Sequence, residues 1–93
     1  MSPDAKALIE RAAVELKVAG AREVYVFGSA AKGAGDAGAD LDLAVSGLPP
    51  SVFYRVGAHI SDLIGRSVDL IDLDISTPFT RYLREENELV RVG

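Results

Sequence analysis

The chain has 93 residues, of which 48% are hydrophobic, and these values predict one folded domain over residues 1–93. It has no cysteine and a single histidine, which excludes disulfides, zinc–thiolate centres, thiol nucleophiles and multi-histidine metal sites. The net charge of −4 argues against broad nucleic-acid binding, which needs a basic surface. No signal-like segment or membrane-length apolar stretch stands out, so we expect a cytoplasmic protein without a membrane partner.

Hydrophobic periodicity predicts a first helix over residues 3–18 and a first strand over 22–27. Small residues fill 28–38, where a short helix is predicted over 30–32. The chain then predicts a strand over 40–46, a helix over 51–64, a strand over 67–71, a helix over 77–86 and a short strand at 89–90. Helices alternating with short strands predict an α/β or α+β fold, whose strand order this pattern leaves open.

A Gly-Ser pair and an Asp-x-Asp motif carry most of the chemical information. Gly28-Ser29 follows an apolar run directly, and Asp40-Leu41-Asp42 begins after ten intervening residues. On a strand, Asp40 and Asp42 point to the same face, where two neighbouring carboxylates repel each other. The motif therefore predicts a divalent-cation site beside a phosphate-binding turn.

A metal-dependent phosphoryl or nucleotidyl transferase needs these residue types. Mg²⁺ prefers carboxylate oxygens, which Asp40 and Asp42 offer. A glycine turn lets the backbone approach phosphates, and a hydroxyl and a cation there bind phosphate oxygens. Gly28, Ser29 and Lys32 supply these groups.

A third carboxylate on a neighbouring strand would complete a two-metal site and accept the proton of the attacking hydroxyl. Asp69 fits this role because it lies between Val68 and Leu70 in the third predicted strand, and so faces away from both apolar neighbours.

Together, the run 28–33, the segment 40–45 and Val68-Asp69-Leu70 resemble the nucleotidyltransferase superfamily typified by DNA polymerase β. More narrowly, the chain resembles the minimal nucleotidyltransferases of the MntA type, which are encoded beside HEPN-domain partners. The resemblance covers nearly the whole chain and implies a nucleotidyltransferase fold, with a short mixed sheet flanked by helices.

The resemblance also implies roles. Gly28 and Ser29 would bind nucleotide phosphates, Asp40 and Asp42 would hold two Mg²⁺ ions, and Asp69 would complete the site. An acceptor hydroxyl would attack the α-phosphorus of ATP and release pyrophosphate. The implied acceptor is a tyrosine of a HEPN toxin, which the attached AMP silences, so that the chain acts as an antitoxin. Because these residues leave no room for an acceptor-binding domain, we expect a separate polypeptide to present the acceptor.

Two positions depart from the family pattern. Ala30 stands where arginine is common, and Ala39 stands where serine often precedes the first aspartate. These departures motivate a second hypothesis, a binding module that neutralises its partner by contact alone. A third is a nucleotidyltransferase that acts on RNA ends or a small molecule, which the acidic charge disfavours.

Two further motifs are interpreted as structural. Residues 33–38 spell G-x-G-x-x-G, but they run into a predicted strand rather than a helix, so we predict a loop instead of a dinucleotide site. Asp72-Leu73-Asp74 is a second Asp-x-Asp, which we interpret as polar residues between the third strand and the last helix. It is the main competitor to Asp69 as the third ligand.

Overall fold

The computed structural model describes residues 3–28 and 41–92, and within them the helices and strands follow the order that the sequence predicts. The boundaries agree with the predicted ones to within about two residues. The elements are α1 (Pro3–Val18), β1 (Glu23–Phe27), β2 (Leu41–Ser46), α2 (Pro50–Ile64), β3 (Val68–Asp72), α3 (Pro78–Glu85) and β4 (Val90–Val92). The short helix predicted over 30–32 and the loop predicted over 33–38 lie outside the described residues.

The strands form one mixed sheet in the order β3-β2-β1-β4. β1 runs antiparallel to β2 and to β4, whereas β2 and β3 are parallel. Parallel neighbours need a crossover connection, and α2 supplies it between β2 and β3. The strands β3 and β4 are therefore the two edges of the described sheet, and β2 lies between β1 and β3.

The main core lies between one face of the sheet and the pair α1 and α2. The inward positions of β2 alternate along the strand, with Leu41, Leu43 and Val45 buried in this core. Apolar residues of α1 and Ile60 and Ile64 of α2 cover them. Because side chains alternate, the intervening β2 positions, Asp42 among them, face the other side of the sheet.

A smaller apolar cluster on that opposite face holds α3 in place. It consists of Phe27, Ala44, Leu73 and Leu83. Thr77 and Thr80 form a reciprocal capping box at the start of α3: the Thr77 hydroxyl accepts from the Thr80 N–H (3.1 Å), and the Thr80 hydroxyl accepts from the Thr77 N–H (2.9 Å). This cap satisfies N–H groups that a helix start leaves without partners, and so fixes where α3 begins.

No helix in the described ranges is both long enough and apolar enough to cross a membrane.

Candidate active site

Two aspartates meet at paired positions of neighbouring strands. Asp42 of β2 and Asp69 of β3 are register partners in the parallel pair. Partners in register point to the same face, and this is the face opposite α1 and α2. Asp42 is half-buried and Asp69 is exposed. The fold thus gathers two carboxylates that are distant in sequence, an arrangement that favours a bound cation.

Gly28 lies on the side of Asp42 that is away from Asp69. It directly follows Phe27, which is the β1 register partner of Asp42. Its φ is +69°, a left-handed conformation, and a Cβ added at this position would collide with the Asp42 carboxylate. Glycine is therefore required here both for the turn and for the close approach of the backbone to the carboxylate.

Of the six predicted site residues, the structure brings Gly28, Asp42 and Asp69 together across three adjacent strands. The other three, Ser29, Lys32 and Asp40, lie outside the described residues, as do Ala30 and Ala39.

The donors present suit a hard cation. Asp42 and Asp69 offer carboxylate oxygens, which Mg²⁺ prefers. Within residues 3–28 and 41–92, no three His, Cys, Asp or Glu side chains are grouped to hold a metal ion. The described part of the site is thus a pair of carboxylates, and Asp40 remains the predicted further ligand.

Asp74, from the second Asp-x-Asp, has another role. Its carboxylate accepts hydrogen bonds from the Ser46 hydroxyl (2.8 Å) and from the Gly47 N–H (2.7 Å). The Gly47 bond, followed by the Ser46 bond, lowers the pKa of Asp74 below its ordinary value of 3.8. The Asp72 carboxylate accepts a hydrogen bond from the Asp74 N–H (2.9 Å). Asp74 therefore ties the turn after β3 to the end of β2, in the polar connection that we interpreted from the sequence.

A cavity of about 280 Å³ opens beside Gly28. The described residues that line it are mostly apolar or aromatic: Phe27, Gly28, Phe79, Tyr82, Leu83 and Glu88. Phe79 meets Phe27 edge to face, with ring centroids 5.9 Å apart. Phe79 and Tyr82 are not among the predicted site residues. Their spacing of three residues in the helix predicted over 77–86 was the available signal that they share a face.

A groove follows the free edge of β3, on the side of Asp69 away from Gly28. α2 contributes Phe53 and Tyr54, and β3 contributes Asp69 and Leu70. At its other end the groove continues past Leu70 to Asp72 and Ile75, where Phe79 of α3 also lines it. Tyr54 is 84% exposed there. The described residues that line this α2–β3 groove carry two charges, those of Asp69 and Asp72, and both are negative.

The fold and this carboxylate–glycine arrangement define a nucleotidyltransferase-type domain, and comparisons with known proteins agree. The family model described as "Polymerase beta, Nucleotidyltransferase" matches residues 14–91. The chain therefore belongs to the polymerase β-type nucleotidyltransferase family. A comparison with curated protein sequences gave no match.

Solved structures share the fold. A minimal nucleotidyltransferase is 27% identical, with a TM-score of 0.71 over 92% of this chain and 93% of that one. A toxin–antitoxin complex with AMP-PNP is 19% identical, with a TM-score of 0.74 over 90% and 72%. A complex of tri-AMPylated Shewanella oneidensis HEPN toxin with MNT antitoxin is 18% identical, with a TM-score of 0.65 over 95% and 71%.

Proposed function

We propose that the chain is a Mg²⁺-dependent nucleotidyltransferase that moves AMP from ATP to a hydroxyl of a partner protein. The proposed partner is a HEPN toxin, the proposed acceptor is a tyrosine, and the modification makes the chain an antitoxin. The observation that carries this proposal is the placement of Asp42 between Gly28 and Asp69 on one face of the sheet.

This order suits an in-line displacement at phosphorus, in which the attacking and leaving oxygens lie on opposite sides. With the α-phosphate at Asp42, the pyrophosphate leaves on the side of the Gly28 turn, where backbone N–H groups can approach phosphate oxygens. The acceptor then attacks from the opposite side, where Asp69 lies. The strand order β3-β2-β1 separates the two routes by one strand.

The bond changes balance without a further reactant. The acceptor oxygen forms a bond to the α-phosphorus, and the bond from that phosphorus to the bridging oxygen of pyrophosphate breaks. The hydroxyl proton passes to the carboxylate of Asp69, the general base on the acceptor side. Asp42 and Asp69, with Asp40 as predicted ligand, would hold Mg²⁺, which when bound neutralises phosphate charge.

The acceptor side has a surface for a polypeptide. The α2–β3 groove has Asp69 among its lining residues, so a segment bound in it lies along the edge strand that carries this carboxylate. Its exposed aromatic side chains and two negative charges suit an apolar segment with basic neighbours. The toxin–antitoxin complexes among the structures of similar fold support a toxin as the partner.

A second candidate function is neutralisation by contact alone. Ala30 removes a basic side chain from the segment predicted to hold the triphosphate. In this case the same groove would bind the partner, but no group would be transferred.

Intact mass spectrometry separates the two functions. The chain is incubated with Mg²⁺-ATP and the product of the neighbouring gene, and both polypeptides are weighed. We expect an AMP adduct on the partner, and no adduct when Asp42→Asn replaces the wild-type chain. An unmodified partner in a fully formed, silenced complex would contradict the transferase and support the contact mechanism.

A further inference from the structure

We propose that the cavity beside Gly28, lined by aromatic residues of α3, is the subsite for the nucleobase of the donor nucleotide, with Tyr82 as its stacking residue. This inference rests on the proposed function, since it names where the ATP of that reaction is bound beyond its phosphates. It concerns residues of α3 that the carboxylate site does not use.

The cavity lies within reach of the reacting phosphate. Gly28 lines the cavity and also approaches the Asp42 carboxylate so closely that a Cβ would not fit between them. A nucleotide whose α-phosphate is at Asp42 therefore needs only its ribose to extend past Gly28. The base then enters the cavity rather than the α2–β3 groove, which lies across β2 on the acceptor side.

The charge of the lining residues argues for a base rather than a phosphate. Glu88 is the one charged side chain among the described residues that line the cavity, and it is acidic. The other described residues of the lining are apolar or aromatic, and they offer no cation that would bind a phosphate. A flat, uncharged ring is the part of a nucleotide that fits such surroundings.

Two aromatic rings are available for stacking. Phe79 is 47% exposed and Tyr82 is 51% exposed, although both belong to a helix anchored by the buried Leu83. Phe79 is already held edge to face against Phe27. Tyr82 lies one helical turn further on and lines this cavity, whereas Phe79 also lines the α2–β3 groove. A purine gains more from stacking than a pyrimidine because it covers more apolar area.

Calorimetric titration distinguishes the base from the phosphates. Mg²⁺-ATP and inorganic tripolyphosphate with Mg²⁺ are titrated separately into the wild-type chain and into Tyr82→Ala. We expect Tyr82→Ala to bind ATP about tenfold more weakly, in the range measured for loss of base–aromatic stacking. Tripolyphosphate affinity should be unchanged, because it has no base.

Two further variants complete the test. Tyr82→Phe keeps the ring and should bind ATP as the wild type does. Val14→Ala trims an apolar side chain of similar exposure (59%) on α1, across the sheet from the cavity, and should leave ATP affinity unchanged. Circular dichroism melts check that each variant folds. Equal ATP affinity in Tyr82→Ala and wild type would overturn the subsite and leave the proposed function standing. A wild-type chain that binds neither ATP nor tripolyphosphate would overturn both.

Discussion

Asp42 and Asp69 are register partners on the parallel strands β2 and β3, so that two carboxylates 27 positions apart in the chain leave the same face of the sheet side by side. Antiparallel pairing with β1 places Gly28 on the other side of Asp42. In the proposed reaction, Asp42 on β2 therefore marks the position of the reacting phosphate. Gly28 lies on the side of the leaving pyrophosphate, and Asp69 lies on the side of the acceptor.

Replacing Asp69 should lower the transfer rate without lowering the stability of the fold. Asp69→Asn keeps the shape of the side chain but removes a negative charge and a general base, so transfer to the partner should fall about 10²-fold or more. Because Asp69 is exposed, the free energy of unfolding should change by no more than about 0.5 kcal/mol. Single-turnover mass spectrometry and urea unfolding measure the two effects. A wild-type rate of transfer by this variant would show that Asp69 is not part of the active site.

Gly28 is expected to tolerate no side chain. Gly28→Ala combines a positive φ with a collision against the Asp42 carboxylate, so we expect the free energy of unfolding to fall by about 1–3 kcal/mol. Nucleotide binding should be lost as well, because Asp42 must move.

Gly65→Ala is the matched control for this change. Gly65 ends α2 with a φ of +70°, but an added Cβ would meet no atom within 4 Å. The Gly65→Ala variant therefore has the backbone strain without the collision. Its free energy of unfolding should fall by about 1 kcal/mol, and its nucleotide affinity should equal that of the wild type. Equal nucleotide affinity in both variants would show that the approach of Gly28 to Asp42 has no role in the site.

Asp74 should stabilise the fold in a pH-dependent manner. Asp74→Asn weakens the bonds from the Ser46 hydroxyl and the Gly47 N–H, and should lower the free energy of unfolding by about 1 kcal/mol at pH 7. The pKa of Asp74 is lower in the folded chain than its ordinary value of 3.8. Its contribution is therefore fully present above that value and is lost as the pH falls through the lower, folded-state pKa.

Urea unfolding at a series of pH values tests this contribution. The difference between wild type and Asp74→Asn should shrink below pH 3.8, the ordinary pKa. Asp62→Asn, at an exposed position of α2, should show no comparable loss at pH 7. A difference that stays constant down to the acid transition would mean that the Asp74 carboxylate is not what stabilises the turn.

The α2–β3 groove should contribute to binding of the partner and not to binding of the nucleotide. Tyr54→Ala removes the most exposed aromatic side chain of the groove, so the partner concentration needed for half-maximal transfer should rise about tenfold. The rate at saturating partner should stay near the wild-type value. Kinetics at varied partner concentration measure both, and a fall in the saturating rate alone would place Tyr54 outside the docking surface.

Local patterns in the sequence determined the elements of this protein. Alternating apolar residues in β2 and helical spacing in α1 and α2 require one buried face each, and this requirement is visible in the order of residues. The same alternation predicted that Asp42 and Asp69 both avoid the core. The glycine at position 28 and the carboxylates were recognisable because few residue types can do their chemistry.

Only the tertiary structure decided which residues are neighbours. Strand order and register depend on long-range pairing, which no local pattern encodes, and they place Asp69 rather than Asp74 beside Asp42. Asp74 is instead bound to the Ser46 hydroxyl and the Gly47 backbone. Tyr82 lines the same cavity as Gly28 because the buried Leu83 anchors α3 to the sheet. The residue types in the sequence therefore predicted what kind of site to expect, whereas packing between distant segments determined which residues lie next to one another in it.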